Sequence, residues 1–131
     1  MSIFTKMLNG EIPKALIYED DVCFVIVDKF PEVEGKTLVI PKKEVDYIFD
    51  LDDETYNHLF EISKKIGKVL DQTFNTERTC IVVEGFEVPH VHIKLFPVQD
   101  KNLIIHGGKE ISMEEAGEVA ERIRKNLPLT E

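Results

Sequence analysis

The sequence predicts an α+β fold in which helices pack on one face of an antiparallel sheet. Short apolar runs rich in β-branched residues are bounded by turn residues, as strands are. The runs at 22–27 and 37–40 are separated by too few residues for a helical crossover, so these two strands should pair antiparallel. Two other segments carry apolar residues at three- and four-residue spacing, which is typical of amphipathic helices.

The first half of the chain is predicted to begin with a helix and continue with strands. Residues 3–8 form a short amphipathic pattern, which Gly10 ends because glycine suits a left-handed terminal conformation. Residues 16–19 fit a short strand. The continuous apolar runs at 22–27 and 37–40 are typical of central strands covered on both faces.

The second half begins with a long helix. Asp52 or Asp53 can cap it, and its apolar periodicity continues to about Phe74. Two further strands follow at 79–83 and 90–96. The complete sheet should therefore have four or five strands.

A helical extension at about 110–128 closes the chain. Ser112 and Glu115 match a capping box at its start, and Pro128 stops it. With 131 residues the chain fits one domain, 1–131. The sequence does not decide whether the segment 102–131, which includes this extension, covers a ligand pocket or a second copy of the chain.

The acidic net charge of the chain limits which molecules it is expected to bind. The formal net charge is −9, which argues against binding long nucleic acid because that requires clustered Lys and Arg. A single nucleotide stays possible in a locally positive pocket. No segment has the length and apolarity of a membrane span and the N-terminus does not resemble a signal peptide, so we expect a cytoplasmic protein, with nuclear entry possible. Cys23 and Cys80 are expected to be free thiols.

One predicted strand carries the residues capable of chemistry. Alternate side chains of a strand point to opposite faces. Val91, Ile93 and Leu95 should face the core, and His90, His92, Lys94 and Phe96 should share the other face. Neighbours on that face would lie roughly 6.5–7 Å apart, so two imidazoles and an ammonium form a row that is costly unless an anion binds there.

Two plainer interpretations of this row stay open. It can be a solvated strand face. It can also bind zinc, although two histidines at this spacing are too few ligands for a dedicated site. We therefore predict no structural or catalytic metal, and allow fortuitous zinc at His90 or His92 with a neighbouring carboxylate.

Several segments, taken together, resemble the histidine triad (HIT) family, most closely its Hint-like branch. They occur in family order and at nearly family spacing over about three-quarters of the chain. The matching segments are Ile3-Phe4-Thr5-Lys6, Gly10-Glu11-Ile12-Pro13, Tyr18-Glu19-Asp20-Asp21, Val27-Asp28, Thr37-Leu38-Val39-Ile40-Pro41-Lys42-Lys43 and His90-Val91-His92-Ile93.

The resemblance implies a homodimer whose two five-stranded sheets join into one ten-stranded sheet. It also implies that the protein binds purine nucleotides and cleaves nucleotide conjugates, such as nucleoside phosphoramidates, through a nucleotidyl-histidine intermediate. His92 would be the nucleophile and His90 would orient it, while Lys94 and Lys36 would hold the phosphate. No cofactor is required for this chemistry.

The resemblance further implies a nucleotide pocket. Its residues would be Ile3, Phe4, Met7 and Ile12 around the base, Leu38 beside it, Asp28 at the ribose hydroxyls, and Glu87 and Val88 from the stretch before the histidines. Glu87 would lie near the α-phosphate, where it could repel substrate or pair with Lys94 or Lys36. Without the resemblance, the apolar residues would be assigned to the core, and Asp28 to a turn that ends a strand.

The chain departs from the family pattern at its titratable positions. Lys94 stands at the third histidine, and Lys36 at the histidine of the preceding loop. Lysine keeps a positive charge but loses a group that titrates near neutrality. Ser2 and Thr5 stand where some members carry zinc-binding cysteines. The sequence therefore predicts a slow nucleotidyl hydrolase, with a nucleotide-binding, sensing or protein-interaction module that has lost turnover as the alternative.

Overall fold

The structure, a computed structural model, describes residues 1–128, so the last three residues of the predicted domain lie outside the described part. The elements are α1 (Ile3–Leu8), β1 (Leu16–Glu19), β2 (Cys23–Val27), β3 (Thr37–Pro41), a short 3-10 helix (Ile48–Asp50), α2 (Asp53–Phe74), β4 (Arg78–Val82), β5 (Ile93–Val98) and α3 (Met113–Arg124). The five strands form one antiparallel sheet in the order β1-β2-β3-β5-β4. The predicted fold class is confirmed.

The two faces of the sheet carry separate apolar clusters. Val25 and Val39 point into the larger cluster, which α2 and α3 cover. Phe24 and Ile26, which flank Val25 on β2, point to the other face and pack with Phe4 of α1. The two long helices therefore share one face, as expected, whereas the six-residue α1 lies on the opposite face and forms one wall of a cavity there.

Side-chain caps set the starts of the helices. The Asp52 carboxylate accepts a hydrogen bond from the Thr55 amide at 3.1 Å, and the Ser112 hydroxyl accepts one from the Glu115 amide at 3.0 Å. Each bond satisfies one of the amides that a first helical turn leaves without an internal partner. The Ser112 cap was predicted, and of the two candidates for α2 the structure has Asp52 as the cap.

The last strand begins three residues later than predicted. It starts at Ile93 rather than at 90, because the backbone before it is engaged elsewhere. The His90 amide donates to the Val88 carbonyl at 2.8 Å, and the Val91 amide donates to the Val45 carbonyl at 2.7 Å. Pro89 has no amide hydrogen to offer a neighbouring strand. Residues 88–92, which we call the histidine segment, therefore lie outside the strand and are held by their own backbone hydrogen bonds.

Cys23 and Cys80 are free, as predicted; Cys23 is buried and Cys80 is partly buried. Across residues 1–128, every helix is too short or too polar to span a lipid bilayer.

Candidate active site

A cavity of about 590 Å³ lies on the α1 face of the sheet. Eleven of the twelve predicted site residues line it: Ile3, Phe4, Met7, Ile12, Asp28, Lys36, Leu38, Glu87, Val88, His92 and Lys94. His90, the twelfth, lies outside the lining and is fully buried beside it. The structure thus brings the predicted residues to one place, although their roles stay predictions.

His92 is held with one nitrogen occupied and the other available. Its Nδ1 lies 2.8 Å from the carbonyl oxygen of His90, and a carbonyl can only accept, so Nδ1 carries the proton. In the neutral ring Nε2 then keeps its lone pair. Only 5% of the His92 side chain is exposed, and this burial lowers the pKa of its imidazole below the ordinary value of 6.5. The ring is therefore neutral at neutral pH, as a nucleophilic imidazole must be.

His90 fixes the backbone that holds His92. Its Nε2 donates to the Pro41 carbonyl at 2.8 Å, which leaves Nδ1 to accept from the Ser2 hydroxyl at 2.6 Å. Burial lowers the pKa of His90, so the ring is neutral and both nitrogens are satisfied. This geometry suits a residue that orients His92 through its main-chain carbonyl.

A hydrogen-bonded cluster ties α1 to the histidine segment; we call Ser2, Thr5, Glu44 and His90 the N-terminal clasp. The Ser2 hydroxyl accepts from the Thr5 amide at 3.1 Å, which also caps α1. The Glu44 carboxylate accepts from the Ser2 amide at 2.9 Å and from the Thr5 hydroxyl at 2.6 Å. These bonds lower the pKa of Glu44, which therefore stays ionised. Glu44 was not predicted, because nothing local in the sequence relates it to residues near the N-terminus.

Lys36 is buried between two carboxylates of the protein. Its Nζ lies 2.8 Å from both Asp28 and Glu32 and 4.8 Å from the centre of the Phe96 ring. Burial alone would lower the pKa of Lys36, but the hydrogen bonds to the two carboxylates outweigh it, and the pKa is raised. The second oxygen of Asp28 accepts from the Phe30 amide at 2.8 Å. Both oxygens of the predicted ribose acceptor are therefore engaged.

Lys94 has a carboxylate partner of its own. Its Nζ lies 2.7 Å from Glu84, and the hydrogen bond from Lys94 lowers the pKa of this carboxylate. The partners of Lys94 and Lys36 are thus Glu84 and the Asp28–Glu32 pair, while Glu87 is exposed at the cavity. Lys94 is 5% exposed, so the interpretation of this row of side chains as a solvated strand face is wrong.

The segment before α3 forms part of the cavity wall, which the sequence left undecided. Ile105, His106, Gly107 and Gly108 line the cavity, together with Met113 and Ala116 of α3. The described part of the segment 102–131 therefore covers the pocket. The signal in the sequence was the run His106-Gly107-Gly108. It places a polar ring next to glycines, which allow close packing of the backbone.

Within residues 1–128, the side chains near enough to share a metal ion are Asp20, Cys23 and His58. Asp20 already accepts from two backbone amides and contacts His58 Nε2 at 2.7 Å. Burial raises the pKa of Cys23 to about 12, which opposes the thiolate that a metal needs. This group is poorly suited to a metal. Fortuitous zinc at His90 or His92 stays a prediction, and at His90 it would have to displace one of two hydrogen bonds.

The sequence and the fold of this chain are similar to those of known proteins. Residues 9–101 match the family model described as the HIT domain. An uncharacterised HIT-like protein of Methanocaldococcus jannaschii is 35% identical over 101 residues, covering 74% of this chain and 78% of the relative. An adenosine 5′-monophosphoramidase of Saccharomyces cerevisiae is 31% identical over 100 residues, covering 76% of this chain and 63% of the relative. The crystal structure of a HIT-like protein from Bartonella henselae superimposes with a TM-score of 0.88 at 30% identity, with 96% of each chain covered. The chain therefore belongs to the HIT family.

Proposed function

We propose that this chain is a purine nucleotide-binding HIT protein of the Hint-like branch that slowly hydrolyses nucleoside phosphoramidates through a nucleotidyl intermediate on His92. The observation that carries the proposal is the bond from His92 Nδ1 to the His90 carbonyl, which leaves Nε2 as a neutral nucleophile on a residue lining the cavity. The likeness to a yeast adenosine 5′-monophosphoramidase supports the substrate class.

The proposed reaction has two displacements at phosphorus. First, His92 Nε2 attacks, the phosphorus–nitrogen bond of the substrate breaks, and the leaving amine takes up a proton. Then water attacks phosphorus, the bond to Nε2 breaks, and the nucleoside monophosphate departs. The Nδ1 proton stays on the ring throughout, and the reaction needs no cofactor or metal.

The cavity offers an apolar end for a base and a charged end for a phosphate. Ile3 and Phe4 of α1, with Leu38 of β3, line the apolar part, and burial between such side chains suits a purine. Lys94 and Lys36 line the charged part. Because carboxylates of the protein pair with both lysines, a phosphate meets a weakened positive field there, which fits slow turnover.

These ion pairs also favour the second candidate function, a nucleotide-binding or sensing module that has lost turnover. Such a module would bind a purine mononucleotide without forming a covalent adduct. The two candidates differ in their need for His92, because the first requires its nucleophilic nitrogen and the second requires only the cavity.

The experiment mixes the protein with adenosine 5′-phosphoramidate and follows both AMP release and the intact protein mass. We expect AMP and a transient nucleotidyl adduct from the unmodified chain. His92→Gln should abolish both, whereas His58→Gln, on the other side of the sheet, should keep both. AMP binding with neither adduct nor product would favour the second candidate.

We also propose a homodimer with a continuous ten-stranded sheet and a cytoplasmic location. The exposed edge strand β4 supports the dimer, since Ile81 on it is 49% exposed, while the other edge strand, β1, packs against α3. Light scattering after gel filtration tests it: a mass of two chains is expected, and a mass of one chain would contradict it.

A further inference from the structure

We propose that His106 is the general acid of the reaction proposed above, on which this inference rests. It would give its proton to the leaving amine in the first displacement and take one from the attacking water in the second. The structure is what places His106 at the cavity, because His106 lies outside every motif by which the sequence resembles its family.

His106 belongs to the same cavity as the nucleophile. The segment between β5 and α3 brings it to the wall that also contains His92 and Lys94. Its side chain is exposed to solvent as well, so it lies at the opening of the cavity. From there an imidazole can face the leaving group of a bound nucleotide conjugate and exchange protons with water.

The backbone around His106 is anchored. Gly107 has a φ of +89°, which glycine adopts without strain. A Cβ at Gly108 would overlap the carbonyl oxygen of Phe30, so backbone packs directly on backbone there. Three residues later, the Ile111 amide donates to the Lys29 carbonyl at 2.9 Å. These contacts hold the segment against the residues that follow β2.

An ionised carboxylate of the cavity region lies near His106. The Glu84 carboxylate has its pKa lowered first by the hydrogen bond from Lys94, and positive charge on His106 and Lys36 lowers it further. The Glu84–Lys94 pair therefore lies within electrostatic reach of His106.

The lysines of the cavity are poor alternatives for this role. A general acid works best when its pKa lies near the working pH, and the pKa of Lys36 is raised by its two carboxylate partners. Lys94 is tied to Glu84 at 2.7 Å. Imidazole is the side chain that ordinarily changes charge between pH 5 and 8.

The proton balance closes over one turnover. As His92 Nε2 bonds to phosphorus, the phosphorus–nitrogen bond breaks and the leaving amine takes the proton of the His106 imidazolium. The neutral His106 then removes a proton from the attacking water while the bond from phosphorus to Nε2 breaks. Both histidines return to their starting states.

The test compares two substrates that differ in the leaving group. Adenosine 5′-phosphoramidate needs a proton on its leaving amine, whereas the para-nitrophenyl ester of AMP releases a stable phenolate that needs none. We expect His106→Gln to slow single-turnover cleavage of the phosphoramidate by about 100-fold or more, and to change cleavage of the ester by less than about threefold. Lys109→Gln, an exposed neighbour, should leave both rates unchanged.

Two results would overturn the assignment of His106: equal slowing of both substrates, which indicates a role in folding or binding, or no slowing of either. Failure of the proposed function looks different, because the unmodified protein would then cleave neither substrate and form no adduct with either. That outcome would remove the reaction, and this role with it.

Discussion

Removing the Ser2 hydroxyl should destabilise the protein by more than the loss of an ordinary helix cap. The hydroxyl accepts from the Thr5 amide at 3.1 Å and bonds to Nδ1 of the fully buried His90 at 2.6 Å. Loss of a cap costs about 1 kcal/mol. Leaving a buried nitrogen without a partner costs about 1–3 kcal/mol more. We therefore expect Ser2→Ala to lower the free energy of unfolding by about 2–4 kcal/mol.

The assay is guanidinium unfolding followed by circular dichroism, with Ser112→Ala as the matched control. Ser112 caps α3 through the Glu115 amide at 3.0 Å and is exposed, so its replacement should cost only about 1 kcal/mol. The difference between the two variants isolates the bond to His90. Equal losses would refute the assignment of that bond, and with it the N-terminal clasp as the support of the histidine segment.

Three further predictions concern the cavity. Gly108→Ala should lower the melting temperature, because the new Cβ would overlap a backbone oxygen. The control Gly117→Ala, in open space on α3, should stabilise the protein by about 0.5–1 kcal/mol. A higher melting temperature for Gly108→Ala than for Gly117→Ala would contradict this packing. Glu84→Gln should tighten AMP binding by roughly tenfold, because it removes about 1.4 kcal/mol of repulsion between the Glu84 carboxylate beside Lys94 and the phosphate of AMP. Unchanged affinity in calorimetry would contradict this prediction. Burial favours the neutral His92 ring, so its proton binds only at lower pH; the acid limb of adduct formation should lie below pH 6.5, and a limb above pH 7 would contradict this.

Local patterns in the sequence were enough to predict most of the fold. A cap such as Asp52 or Ser112 acts within one turn of its own helix, and strand alternation acts between adjacent residues, so both can be recognised without tertiary information. The start of β5 at Ile93 could not be predicted, because it depends on the bond between the Val91 amide and the Val45 carbonyl. That contact exists only once the chain has folded.

The sequence predicted eleven residues that line the cavity, but it did not predict the ion pairs of the two cavity lysines. The apolar and histidine positions follow from alternation and from the resemblance to the HIT family. The carboxylate partners do not, since Glu84 is ten residues from Lys94, and Glu44 is 42 residues from Ser2. His106 was missed for the same reason: only the folded backbone brings the segment before α3 back to the cavity.

The protonation state of His92 decides whether this residue can act as the nucleophile. Nitrogen-15 NMR of the imidazole rings at neutral pH, with His92→Gln used to assign the signals, reports directly which nitrogen carries the proton. We expect a neutral ring with the proton on Nδ1 and a free lone pair on Nε2, as the 2.8 Å bond to the His90 carbonyl requires. A proton on Nε2, or a ring that is charged at neutral pH, would contradict the proposed nucleophile.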